Sequence, residues 1–314
     1  MRWTRKAKIQ KVCAVLPGGD LLYRQIQRRY GRLQPDPFKR LPQHAAMLRR
    51  LADLGFRAEG ARCLEVGTGH LPIAPVAFHL LGAAEVVTVD LHRRLDTELT
   101  TAMIQRMVQA RARIAELYAG LVDPALLDDR LDALEALPSG SPDDLRSLNV
   151  HYAAPGDAAR MPDADDTFDL SFSMTVLEHV TPPAMAAILA ETRRVLKPSG
   201  FAAHLIDPSD HFAHQDASIT RINFLRFSER EWQRLGGNEF SYCNRLRAPD
   251  LERLFTDADF AIERCLRTVD ERSVAAVKRG FPIHPDYRDY DPDDLCTTEL
   301  ELYARPRQHA RRPG

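Results

Sequence analysis

The chain has 314 residues, with 43 Lys and Arg against 44 Asp and Glu, for a formal net charge of -1. So even a balance gives no whole-molecule attraction to nucleic acid or an anionic membrane, and a hydrophobic content of 44% is ample for a packed core and excludes global disorder. The five cysteines, Cys13, Cys63, Cys243, Cys265 and Cys296, are scattered and form no C-x-x-C pair, which argues against a zinc site built on them or a disulfide framework and for a reducing compartment.

No apolar run approaches the ~20 residues of a membrane-crossing helix. The stretch VCAVL (12–16) is shorter than the ~7–15 residues of a secretory signal core, so a cytoplasmic protein is expected. Residues 1–60 read as a helical cap. AKIQKVCAVL and LLYRQIQRRY are separated by Pro17-Gly18-Gly19, and PQHAAMLRRLADLGF ends at Gly55. Residues 1–50 hold thirteen Lys and Arg against only Asp20 and Asp36, which suits a solvated helix face or a lid over an acidic substrate.

From residue 61 the pattern changes. RCLEVGT, EVVTVDL, NVHYAAP, FDLSFSMTV, FAAHLID, AIERCLR and ELELYAR have strand character, with helical text between most of them. This alternation predicts an α/β fold with a mainly parallel sheet, over about 61–305. Two intervals, 93–148 and 209–248, are too long for simple connections and read as insertions: lids, substrate loops or interfaces. The basic tail 306–314 is expected to fray.

The first strand runs into CLEVGTGHLPIAP (63–75). Glu65 precedes Gly67 by two residues, and Gly69 follows. Glycine gives such a turn its dihedrals and lets a ligand approach the backbone. The second strand ends in Asp90, where a carboxylate can accept both hydroxyls of a ribose; an adenosine-containing ligand fits the pair. A dinucleotide turn needs a third glycine where this chain has Pro72. A purely structural turn is the other reading of the two glycines taken alone.

Further on come GDAARMPDADDTFDLSFSMTVLEHV (156–180) and ILAETRRVLKPSG (188–200). With the acid-rich glycine turn and the acidic second strand end, these blocks resemble the class I S-adenosylmethionine-dependent methyltransferases of the type 11 branch. The resemblance spans roughly 61–206 and resumes in the last strands. It implies a Rossmann-like, mainly parallel seven-stranded sheet with helices on both faces, and S-adenosyl-L-methionine as cofactor. It matches Glu65, Gly67, Thr68 and Gly69 to the turn around the methionine part of the cofactor. Asp90 matches the ribose-binding acid and Leu91 the apolar neighbour of adenine. Asp157 and Ala158 match the pair reading the adenine edge, and Ser173 the strand-end residue whose carbonyl meets the ammonium. Glu178 and His179 match the family's EH pair. Leu71 stands where the family often has a third glycine. A cap over the cofactor gives Tyr23 and Tyr30 either that role or plain packing.

The resemblance implies methylation of a small-molecule or sugar-like acceptor, at a hydroxyl or else an amine, in secondary-metabolite or polysaccharide biosynthesis. No nucleic acid or membrane partner is expected, and a homodimer is compatible with the reading. The rivals are a nicotinamide-dependent oxidoreductase, disfavoured by Pro72 and VLEHV, and a non-catalytic S-adenosylmethionine-binding relative, disfavoured by Asp90 and Asp157.

After the fifth strand comes HLIDPSDHFAH (204–214), with Asp207, Asp210, His211 and His214. Three readings stand: a histidine base oriented by Asp207 or Asp210, a divalent-metal site, or a polar loop whose acids cap the next helix. The base reading names His211, Asp210 and His179 as catalytic and assigns no residue to a metal. His179 is equally a cofactor contact or a polar group at a helix start.

Overall fold

The computed structural model describes residues 1–30, 33–238 and 240–308, apart from the side chains of residues 20, 21, 24, 27, 28 and 30, so the reading of Tyr30 lies outside it. All seven strand-like runs form strands of one sheet: β1 (Arg62–Val66), β2 (Glu85–Val89), β3 (Val150–Ala153), β4 (Phe168–Met174), β5 (Leu196–Ile206), β6 (Phe260–Val269) and β7 (Thr297–Pro306). Their order is β3-β2-β1-β4-β5-β7-β6. β1 to β5 run parallel, and β7 is antiparallel to both β5 and β6. Of the tail, Pro306 closes β7 and residues 309–314 lie outside the described residues.

The helices, in chain order, are α1 (Trp3–Val15), α2 (Gly19–Tyr30), α3 (Leu41–Asp53), α4 (Ile73–Leu80), α5 (Thr97–Gln109), α6 (Arg111–Leu117), α7 (Pro124–Glu135), α8 (Pro142–Arg146), α9 (Pro182–Val195), α10 (Glu229–Leu235), α11 (Ala248–Asp257), α12 (Glu271–Lys278) and α13 (Pro292–Cys296). Their starts follow from local chemistry. The Asp96 carboxylate accepts from the Leu99 N–H at the head of α5, Asp123 does the same for α7 ahead of Pro124, and Ser228 with Glu231 forms a capping box on α10.

Strand periodicity splits the core in two. Cys63, Val86, Phe172, Phe201, Ala203 and Tyr303 face α3, α4 and the helices of 93–148. Leu64, Val89, Phe168, Ala202, Leu302 and Ala304 face α9 and α11. A third core joins α1 to the segment after β5, with Ala7, Phe212, Phe224, Trp232 and Cys296 among its members.

Two expectations are corrected here. Residues 1–60 do not form one cap. α3 is a sheet-flanking helix whose Leu41, Ala45, Leu48 and Leu51 enter the main core, whereas α1 lies on the 209–248 segment. The Trp3 N–H donates to Asp216 (2.7 Å), and the Trp3 ring stacks on Trp232. Nor does 93–148 lie over the strand ends as a lid. Its Met103, Met107, Leu127, Leu131 and Leu134 cover the outer side of α4, which is apolar all round because protein surrounds it.

Candidate active site

The crevice lies beyond the carboxyl ends of β1, β2, β4 and β5, where the strand order reverses. Gly67 takes the left-handed backbone at φ +87°, and a Cβ there would sit 2.6 Å from Val176 Cγ2. The turn therefore packs directly on the segment leading to Glu178 and His179. Gly69 is also left-handed (φ +66°), and open space lies within 4 Å of where its Cβ would stand.

Asp90 organises this turn. Its carboxylate accepts from the Gly69 N–H (2.8 Å) and the His92 N–H (3.2 Å), with lone pairs left for ribose hydroxyls. Its carbonyl accepts from the Gly156 N–H (2.9 Å), which brings Asp157 and Ala158 alongside. Asp157 itself accepts from the Ala159 N–H at 2.9 Å, so its loop is held by its own side chain. Leu91 is 63% exposed, an apolar surface offered beside Asp90. Glu65 is buried and accepts from Thr88 Oγ1 (2.5 Å), which is bonded in turn to Thr68 Oγ1. Burial, aided by the Asp90 charge and opposed by the Thr88 hydrogen bond, pushes its pKa up to about 8.

Ser173 is the last residue but one of β4. β4 runs on to Met174, and the buried Ser173 Oγ bonds His204 Nδ1 at 2.8 Å. Met174 and Thr175 occupy the end, Thr175 with φ +57°.

Glu178 and His179 sit on a short 3-10 turn, Leu177–His179. Asn244 pins it: its side-chain amide donates to the carbonyls of Leu177 (2.8 Å) and Val180 (2.9 Å), and its N–H donates to the Glu178 carbonyl (2.9 Å). Glu178 is fully buried, neither carboxylate oxygen has a hydrogen-bond partner among the described residues, and burial raises its pKa well above the usual range. His179 Nδ1 donates to the Tyr242 carbonyl at 2.7 Å.

The post-β5 loop brings up more imidazoles. The rings of His179 and His211 are 4.9 Å apart, and those of His211 and His214 are 5.1 Å apart. Asp207 Oδ2 lies 3.6 Å from His211 Nε2 and 3.2 Å from His214 Nε2, while its Oδ1 accepts from the Ser209 N–H (3.0 Å). Burial alone would raise the Asp207 pKa; the bond to His214, the His211 charge and the Ser209 hydroxyl outweigh it and hold Asp207 well below the usual carboxylate range. Burial, opposed by Asp207, lowers the His211 pKa to about 4.

Asp210 does not orient His211. It is buried and spent on the Phe212 N–H (2.9 Å) and Asn223 Nδ2 (3.2 Å), a role in shaping the loop. Asp207 takes the place beside His211. Tyr23 packs its ring on Phe240 (centroids 4.6 Å apart) and its hydroxyl accepts from Gln10.

Sequence reasoning missed the wall of the adjoining cavity, about 260 Å³, between α3 and the β5–β7 edge. Met47, Arg50, Leu205, Glu299, Glu301 and Tyr303 line it. Arg50 pairs with Glu301 (2.8 Å), and Leu205 on the cavity wall stands two residues before Asp207 at the end of β5. The period-two pattern of ELELYAR was the available signal: it puts Glu299, Glu301 and Tyr303 on one face.

This is an open α/β fold whose nucleotide crevice carries an acid-glycine turn beside a strand-end aspartate. The type 11 methyltransferase-domain family model matches residues 140–204, from α8 to β5. Over those residues the chain is similar to the type 11 methyltransferase domains, and the sheet order and the position of the crevice agree with that likeness. No curated protein matches it in sequence. Similar solved structures include the [4+2]-cyclase SpnF, with 17% identity, TM-score 0.43, and coverage of 83% of this chain and 80% of that one. An S-adenosylmethionine-dependent methyltransferase from Mesorhizobium loti has 16% identity and TM-score 0.43, covering 82% and 96%. The 1,6-didemethyltoxoflavin-N1-methyltransferase of Burkholderia thailandensis has 15% identity and TM-score 0.43, covering 85% and 78%. No helix among the described residues is long and apolar enough to cross a membrane.

Proposed function

We propose that the chain methylates a hydroxyl of a small, polyol-like acceptor held in the cavity between α3 and the β5–β7 edge. The observation that carries this reading is the Asp207–His211–His214 group at the end of β5, beside that cavity. An amine needs only to be neutral, whereas a hydroxyl must lose a proton, so an imidazole group backed by a carboxylate favours oxygen. Glu299 and Glu301 offer acceptors for further hydroxyls, as a sugar-like molecule would need.

S-adenosylmethionine supplies the methyl group from its sulfonium. Asp90, Leu91, Asp157 and Ala158 hold the adenosine, and the turn from Glu65 to Gly69 holds the methionine part. Low pKa values keep His211 neutral and Asp207 ionised at pH 7, so the imidazole can take the hydroxyl proton while Asp207 steadies the resulting charge. Fixing the two reactants in line supplies ~7–11 kcal/mol of the barrier.

The test is methyl transfer from labelled S-adenosylmethionine to a panel of hydroxylated and aminated small molecules, with product mass spectrometry. Labelled methyl ethers support the reading. Exclusive N- or C-methylation, or transfer only to RNA or protein, overturns it.

A further inference from the structure

We infer that Glu178, His179 and His211 form a binding site for a divalent first-row cation of the zinc class. One ligand atom from each side chain lies within 4.8 Å of the other two, so small side-chain rotations close them around an ion. Ligand atoms ~2.0–2.2 Å from zinc stand roughly 3–4 Å apart.

The second observation is the state of Glu178. It is 0% exposed, and both side-chain oxygens lack a hydrogen-bond partner among the described residues. The backbone N–H groups of Glu178 and Asp207 and the Arg40 charge favour its ionisation, but none is in hydrogen-bond geometry with it. An ionised carboxylate cannot stand so, and no Lys or Arg among the described residues makes an ion pair with it, so without a cation the group stays protonated with its oxygens unmet. A bound cation displaces that proton and gives the carboxylate a partner.

The surroundings are those of a built site. The His179 Nδ1 bond to the Tyr242 carbonyl leaves Nε2 to coordinate. His211 Nε2 is 3.3 Å from the Asp207 carbonyl, which orients the ring and leaves Nδ1. Asn244 fixes the turn that carries Glu178 and His179. Two imidazoles and one carboxylate suit zinc rather than magnesium or calcium, which prefer all-oxygen shells. Three protein ligands leave a fourth position for water or an acceptor oxygen. This deepens the proposed function and rests on it for that last step. With the ion present, the acceptor hydroxyl meets the cation, His211 is a ligand, and His214 on Asp207 is the imidazole left to take the proton.

The experiment titrates the full chain, freed of metal by chelation, with ZnCl₂ alone, following heat and thermal unfolding. One saturable site and a raised Tm are expected. Glu178→Gln and His211→Ala should each weaken zinc binding by about tenfold or more, while binding S-adenosylhomocysteine as the parent does, which shows that they fold. Absence of saturable binding overturns the site. So does binding undiminished in both variants, which would place zinc on cysteines or other histidines, or binding that survives Glu178→Gln but not Asp207→Asn. The functional reading fails separately: chelator-resistant O-methylation without zinc binding overturns only the cation, and zinc binding without O-methylation overturns only the acceptor.

Discussion

The two sides of the crevice are built on opposite terms. On the cofactor side, beyond β1 to β3, acids are engaged by backbone donors and apolar surface is left open: Asp90 accepts from two N–H groups, and Leu91 stands 63% exposed. On the acceptor side, beyond β4 and β5, polar groups are buried and one of them, Glu178, is unpartnered. The first side is finished by its own loops and lacks only a ligand surface. The second is propped by distant elements: α1, Asn244, and the buried Arg247, whose guanidinium donates to the carbonyls of Pro208 (2.6 Å) and Leu295 (3.3 Å). A site for a common cofactor can be local, whereas the proposed acceptor site is assembled from far along the chain.

If the two sides are separate in this sense, changes on one should leave the other intact. His211→Ala should show the largest effect. Turnover falls by ~10²–10⁴ while S-adenosylhomocysteine affinity, measured by calorimetry, stays at the parent value. A parallel loss of cofactor affinity would dissolve the distinction.

Trp232→Ala comes next. Trp232 is 3% exposed and packs on Trp3, Phe212, Phe224 and Phe227. Its removal should cost ~3–5 kcal/mol, felt in the third core. Hydrogen exchange should rise in 209–248 and α1 and stay unchanged in β1 and α4.

Asp90→Ala acts on the other side. Loss of charged hydrogen bonds to a ribose, at ~1.5–3 kcal/mol, should weaken S-adenosylhomocysteine binding by about ten- to a hundredfold and leave the zinc isotherm unchanged. Asp90→Asn keeps an acceptor for the Gly69 N–H and separates loss of the turn from loss of the ligand contact.

The last test reads Glu65 through pH and not through binding. With its pKa at about 8 in the folded protein, above the ordinary 4.5, the folded state holds a proton that the unfolded chain has released between those values. Stability from this group is therefore present at low pH and lost as pH rises toward 8. Glu65→Gln should flatten that part of the Tm–pH profile, and a fall in Tm with rising pH that persists in the variant would assign it elsewhere.

The strands were legible because each has its own alternation, and the cofactor side because a glycine turn and a strand-end acid are close in sequence. The role of 93–148 was partly legible. IAPVAFHL carries apolar residues on every side, so α4 had to be covered from outside, and the leucines of 127–134 recur at helical spacing. Asp207 and Asp210 could not be ranked from sequence. They lie three residues apart in one loop, and Asn223, thirteen residues beyond Asp210, decides which is spent on structure. The burial of Glu178 was not legible either, since it follows from a one-turn 3-10 segment held by Asn244.

The props of the acceptor side also set an order of events during synthesis. Trp3 donates to Asp216, 213 positions later, and Arg247 ties Pro208 to Leu295, so neither tie can form while the chain is emerging through its middle. Because domains fold as their segments appear, β1 to β5 can close around the cofactor crevice before β7 arrives to flank β5. α1, made before any strand of the sheet, thus docks only after β5 is complete, and a nascent chain should gain cofactor affinity well before it can hold an acceptor.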